Sequence, residues 1–145
     1  MNPLVKARRL VTLRARQALY ARATVAEAVA ALEAANDVVT ARHEGLARAA
    51  TAIAPQVGAV INAANLALGS IVREQAELSV REAVLQRGAC EAASRQARVA
   101  AREADGALRR AETRRDAIAL EKARALDKYL QELADGAAQR KRSQA

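Results

Sequence analysis

The sequence predicts an all-α protein, a long two-helix antiparallel coiled-coil hairpin. Three observations carry that prediction. Of 145 residues, 40 are alanine and 20 arginine, with two tyrosines and no phenylalanine or tryptophan. Two apolar series with a seven-residue period run for equal lengths, and a stretch containing proline and glycine separates them. Alanine has the highest intrinsic helix propensity, with arginine, leucine, glutamate and glutamine close behind. The apolar share is 52% but consists largely of methyl groups, too small to fill the core of a compact globule.

The first helix is predicted over about residues 4–54. Asn2-Pro3 supplies an N-cap followed by proline at the first helical position. The series Leu4, Val11, Ala18, Val25, Leu32, Val39, Leu46 and Ile53 is apolar throughout. Three residues after each of the first seven come Ala7, Arg14, Ala21, Ala28, Ala35, Arg42 and Ala49, the alternating spacing of a coiled-coil seam. Pro55 ends the pattern, because its ring disfavours helix at Ala54 and removes a backbone donor. A bend or tip is predicted over about 55–70, which holds Pro55, Gly58, Gly69 and Ser70.

The second helix is predicted over about 71–138, with a basic tail at 139–145, all within one coiled-coil domain. Its series is Ala76, Ala83, Cys90, Ala97, Ala104, Ala111, Ile118 and Ala125, accompanied four residues later by Val80, Arg87, Ser94, Ala101, Leu108, Arg115, Lys122 and Tyr129. Facing the ends of the two series sets residue i opposite 129 − i: Leu46 near Ala83, Leu32 near Ala97, Val25 near Ala104, Val11 near Ile118. Large side chains then mostly meet small ones. A slip of one heptad preserves most of that match. Arms of this length reach about 75 Å as helix, so a rod is expected, with residues 126–145 projecting past the first helix. There Leu126, Leu130 and Leu133 share a helical stripe, with Tyr129 beside them. Gly45, Gly88, Gly106 and Gly136 fall within the helices and are read as points of close approach or local bends.

Charge is concentrated at the ends. The net charge is +8; residues 1–24 hold six basic residues and no acid, and residues 136–145 hold Arg140, Lys141 and Arg142 without an acid. From Ala49 to Val72 no residue is charged, but Pro55, Gln56, Gly58, Asn62, Asn65 and Ser70 interrupt that stretch and alanine dominates it. It is therefore expected to form the hairpin tip and not to insert in a membrane. The basic, discontinuous N-terminus argues against a secretory signal, and a single cysteine fits a reducing, cytoplasmic location.

Enzymatic chemistry and cofactors are not expected. His43 has no second histidine or paired cysteine to share a metal with. Cys90 lies on the alanine seam, where a thiol packs as a small hydrophobe, and no neighbouring group would activate it. No glycine-rich phosphate loop and no hydrolase triad is present.

A basic N-terminus, one coiled-coil hairpin, and a C-terminal helix reading Ala125-Leu126-Asp127-Lys128-Tyr129-Leu130-Gln131-Glu132-Leu133 before a basic tail make a recognisable combination. It resembles the central-stalk proteins of type III secretion ATPases, the family of the flagellar export component FliJ and its injectisome counterparts of the YscO kind. The resemblance covers nearly the whole chain and rests on architecture and charge placement. It implies a non-enzymatic stalk whose terminal segments enter and stimulate a hexameric secretion ATPase, with Arg8, Arg9, Arg14, Arg16, Arg140, Lys141 and Arg142 facing the ring. It further implies an export-gate protein and secretion chaperones as partners at the tip, around Ile53, Val57, Val60, Ile61, Leu66 and Leu68, with no small-molecule substrate. The alternatives are a basic nucleic-acid-associated helical protein, disfavoured because its charge forms no continuous stripe, and a coiled-coil holdase chaperone.

Overall fold

A computed structural model describes residues 2–53 and 63–144, apart from the side chains of Ala52 and Ile53. The fold is an all-α antiparallel hairpin of two long helices packed against each other, α1 (Pro3–Ile53) and α2 (Ala63–Ser143), with no strand among the described residues. Asn2 caps α1 as its sequence position predicts: its Oδ1 accepts from the Leu4 amide at 3.0 Å, and its carbonyl from the amides of Val5 (3.0 Å) and Lys6 (3.2 Å). Helical threonines satisfy their hydroxyls on the preceding turn, as Thr12 does on the Arg8 carbonyl and Thr113 on that of Arg109.

Both ends of α2 differ from expectation. It begins at Ala63, so the predicted bend shrinks, and its residues 55–62 lie outside the described residues. The run Ala63-Ala64-Asn65-Leu66-Ala67-Leu68 consists mostly of strong helix formers, and the Gly69-Ser70 pair sits inside the helix with Gly69 buried. One helical glycine costs about 1 kcal/mol relative to alanine, too little to stop a run continued on both sides. At the other end the basic segment is helical to Ser143. Arg140 Nε donates to the Gly136 carbonyl (3.3 Å), and the Ser143 hydroxyl bonds the carbonyls of Gln139 and Arg140 (both 3.1 Å). Three cations in the last turn also suit the negative end of the helix dipole.

The contacts group the chain into two units where one domain was expected: Met1–Ala21 with Ala101–Ala145, and Arg22–Ala100. In the first unit Ala7, Ala18 and Ala111 are buried. In the second, Ala35, Val39, Val80, Ala83, Ser94 and Ala97 are. The predicted seam is the covered face in each. From Leu4 to Leu46 every member of the first apolar series is at least half-buried, and so is every member of the second from Ala76 to Ile118. Arg42 is the exception among the companion residues of α1, and it is exposed. Cys90 is half-buried on the seam and His43 is exposed.

The register is about one heptad away from 129 − i. In the first unit a shared groove sets Leu10 and Arg14 against Ala107, Arg110, Ala111 and Arg114, and in the second Val38 and Arg42 lie against Ser79, Glu82, Ala83 and Gln86. This spacing matches Leu46 with Ala76, Val39 with Ala83, Leu32 with Cys90 and Val25 with Ala97. Large still meets small in this register, as it would in the one predicted.

Gly45, Gly88, Gly106 and Gly136 are not sites of close approach among the described residues. A methyl group added at Gly45, Gly88 or Gly136 would meet nothing within 4 Å, and at Gly106 only the tip of Arg110, at 3.4 Å.

Candidate docking surface

The first unit holds most of the residues proposed to face a partner. α1 begins beside Lys122, whose Nζ donates to Asn2 Oδ1. From there α2 continues to Ser143 with no α1 residue opposite it, and every residue from Ala119 to Gln144 is exposed except the half-buried Gly136. Leu126 (57%), Tyr129 (57%), Leu130 and Leu133 are exposed on this projecting segment, and Lys128 reaches Glu132 at 4.0 Å along its polar side.

The two terminal basic clusters do not meet. Arg8, Arg9 and Arg16 are exposed on the first turns of α1, while Arg14 is half-buried on the seam and donates to Gln17 Oε1 at 2.9 Å. Arg140, Lys141 and Arg142 occupy the last turn of α2. Arg140 follows Lys122 by 18 positions, about 27 Å along a helix.

What the N-terminal cations do meet is a second arginine group, in the middle of α2 and away from either chain end. The run Arg109-Arg110-Ala111-Glu112-Thr113-Arg114-Arg115-Asp116 carries four arginines in eight residues. Arg8 shares a groove with Arg115 and Asp116, Lys6 shares one with Arg114, and Arg14 shares one with Arg110 and Arg114. Arg115 is neutralised in part by Asp116, its Nη2 lying 2.7 Å from Oδ1. The result is a cationic belt around the start of α1, separated along α2 from the basic last turn by the apolar stripe. The density of arginine at 109–115 was the signal available in sequence, masked there by the acids that make the middle of the chain nearly neutral in sum.

Of the tip residues, Ile53 is the last of α1, and Leu66 and Leu68 are exposed on the first turns of α2. Val57, Val60 and Ile61 lie outside the described residues. No helix among the described residues is long and apolar enough to cross a membrane, and none of their His, Cys, Asp and Glu side chains gather in groups that could hold a metal ion.

The surface can thus offer charge, and an apolar helical face, to a partner. Comparison with protein-family models, with curated proteins and with solved structures finds no match to this chain.

Proposed function

We propose that the protein is a non-enzymatic stalk of a type III secretion apparatus, inserting its terminal segment into a hexameric export ATPase and stimulating it. The observation that carries this reading is the projecting end of α2, where Leu126, Tyr129, Leu130 and Leu133 stand exposed between a cationic belt and a basic last turn. An apolar stripe left uncovered by its own chain suits insertion in a surrounding cavity. Basic groups on either side of it steer encounter with an acidic ring and fix orientation more than they add affinity. The likeness of architecture and charge placement to FliJ- and YscO-type stalks supports the choice of partner. The export gate and secretion chaperones are further partners in this reading, at the end of the hairpin carrying Leu66 and Leu68, and the protein works on the cytoplasmic side of the inner membrane.

The test mixes the purified protein with the hexameric ATPase of its own secretion system. Ring assembly and a several-fold rise in ATP hydrolysis are expected. Both should be lost in Leu126→Asp/Leu130→Asp/Leu133→Asp and weakened, in a salt-dependent way, in Arg8→Glu/Arg9→Glu/Arg16→Glu. An unchanged hydrolysis rate at saturating protein would sink the proposal. Nanomolar, steeply salt-dependent binding to duplex DNA would instead make the belt a phosphate-binding surface.

A further inference from the structure

α2 carries a second apolar series with a seven-residue period, and α1 does not cover it. Within the unit Arg22–Ala100, Ile71, Leu78, Leu85, Ala92 and Val99 follow one another every seven residues. The members Ile71, Leu78, Leu85 and Val99 are 52%, 50%, 74% and 53% exposed. At 100° per residue this series lies on the side of α2 directly away from Val80, Ala83, Ser94 and Ala97, which are buried against α1. A helix packed on one side only has no folding reason to keep a second heptad stripe on the other. Four exposed large apolar residues at strict seam spacing describe a coiled-coil face without its partner.

We propose that this outer face of α2 is a homodimer interface, in which α2 of a second copy packs antiparallel about Leu85. Two properties of the segment select its own copy as the occupant. The first is charge. Residues 68–84 carry Arg73, Glu74, Glu77, Arg81 and Glu82, a net of −1, whereas residues 86–102, leaving out Arg87 on the inner seam, carry Glu91, Arg95, Arg98 and Arg102, a net of +2. An antiparallel pair sets each acidic half against the basic half of its mate, and a parallel pair would set like against like. Arg73–Glu77 (3.0 Å) is an intrahelical pair with side chains 64% and 38% exposed, so it exchanges partners at little cost. The second is size. Pairing about Leu85 sets Leu78 against Ala92, large against small as in the inner seam, while Ile71 meets Val99 and Leu85 meets its own copy, so apolar residues face each other at every step of the stripe. The interface uses neither the cationic belt nor the projecting end of α2, so it stands or falls separately from the proposed ATPase docking.

The full chain is examined by sedimentation equilibrium from about 1 to 200 µM, and a reversible monomer–dimer equilibrium is expected. Leu85→Asp, which changes a side chain 74% exposed in the single chain, should leave helical circular dichroism intact and weaken dimerisation at least about a hundredfold. Glu74→Arg should weaken it, and Glu74→Arg/Arg95→Glu should restore it. Orientation is read by disulfide trapping in a Cys90→Ser background: Leu78→Cys mixed with Ala92→Cys should cross-link to each other, and Leu78→Cys alone should not. A chain monomeric throughout the range, a dimer that survives Leu85→Asp, or efficient cross-linking of Leu78→Cys to itself would each overturn the proposal. Association seen only after a different protein is added would overturn it as well, giving the face to a foreign helix.

Discussion

Within the first unit, α2 changes character at Ile118. Up to that point its face toward α1 is mostly small, with Ala101, Ala104, Ala107 and Ala111 beside Leu108 and Ile118, and all are buried or half-buried. Beyond it come Leu120, Leu126, Tyr129, Leu130 and Leu133, larger and more apolar, and all are exposed. Burial here follows the presence of a second helix and not the hydrophobicity of the segment. A sequence shaped by folding alone would place alanine on the naked part and leucine in the seam. The inversion argues that the larger residues past Ile118 serve contacts outside the chain, while alanine in the seam lets two backbones lie close.

That contrast predicts very different sensitivities on the two sides of Ile118. The largest effect is expected at Ala18, 2% exposed in the seam of the same unit. Ala18→Asp buries a carboxylate that has no partner, and should cost about 3 kcal/mol or more in urea unfolding followed by circular dichroism. A loss under about 0.5 kcal/mol would mean that the seam opens freely, and the contrast with the projecting segment would disappear. Next comes Val39, 6% exposed in the second unit, where Val39→Ala removes two methyl groups and should cost about 2 kcal/mol. An equal loss on replacing Leu130 by alanine would show that the projecting segment is packed after all.

How far the sequence could be read follows from the same chemistry. The seam of α1 is legible because large apolar residues, with Ala18 among them, recur every seven positions through a helix otherwise rich in alanine and charge, and every member of that series from Leu4 to Leu46 is at least half-buried. The register is not. Sliding α2 by a heptad exchanges Ala83 for Ala76 opposite Leu46, and Ala97 for Cys90 opposite Leu32, changes too small for a pattern argument to resolve. The start of α2 is hard to place from sequence because Gly69-Ser70 reads as a break, although Ala63, Ala64, Leu66, Ala67 and Leu68 upstream favour helix. The stripe through Ile71, Leu78, Leu85 and Val99 and the arginines at 109–115 stayed hidden for a geometric reason. Only the position of α1 shows which face of α2 is left uncovered, and which cations of α2 stand beside Arg8 and Arg14.

The glycines offer a gentler probe. Gly45 and Gly88 lie inside helices of the second unit with open space where a methyl group would stand. Replacing either by alanine restricts the unfolded chain and adds no clash, so each should raise stability by about 0.5–1 kcal/mol. Gly106→Ala should gain less, since the new methyl group would displace the tip of Arg110. A loss of stability at Gly45 or Gly88 would reveal a neighbour pressed against the helix, and at Gly88, three residues from Leu85, that neighbour would be the second copy.

The smallest global effect belongs to Gly136. A methyl group there also meets nothing, and alanine favours helix as strongly as it does at Gly45. The difference lies in what the local gain is coupled to. At Gly45 the helix opens together with the seam, so the added helical stability appears in the cooperative unfolding transition. Past Lys122 no second helix holds α2, and the last turns open on their own with a free energy far below that of the whole. Gly136→Ala should therefore leave the unfolding midpoint unchanged while slowing amide exchange between Leu126 and Arg142 by a few-fold, the factor that about 1 kcal/mol confers. An upward shift of the midpoint equal to that of Gly45→Ala would mean that the projecting segment unfolds with the seam, and that something, a second copy or an intramolecular contact, already covers it.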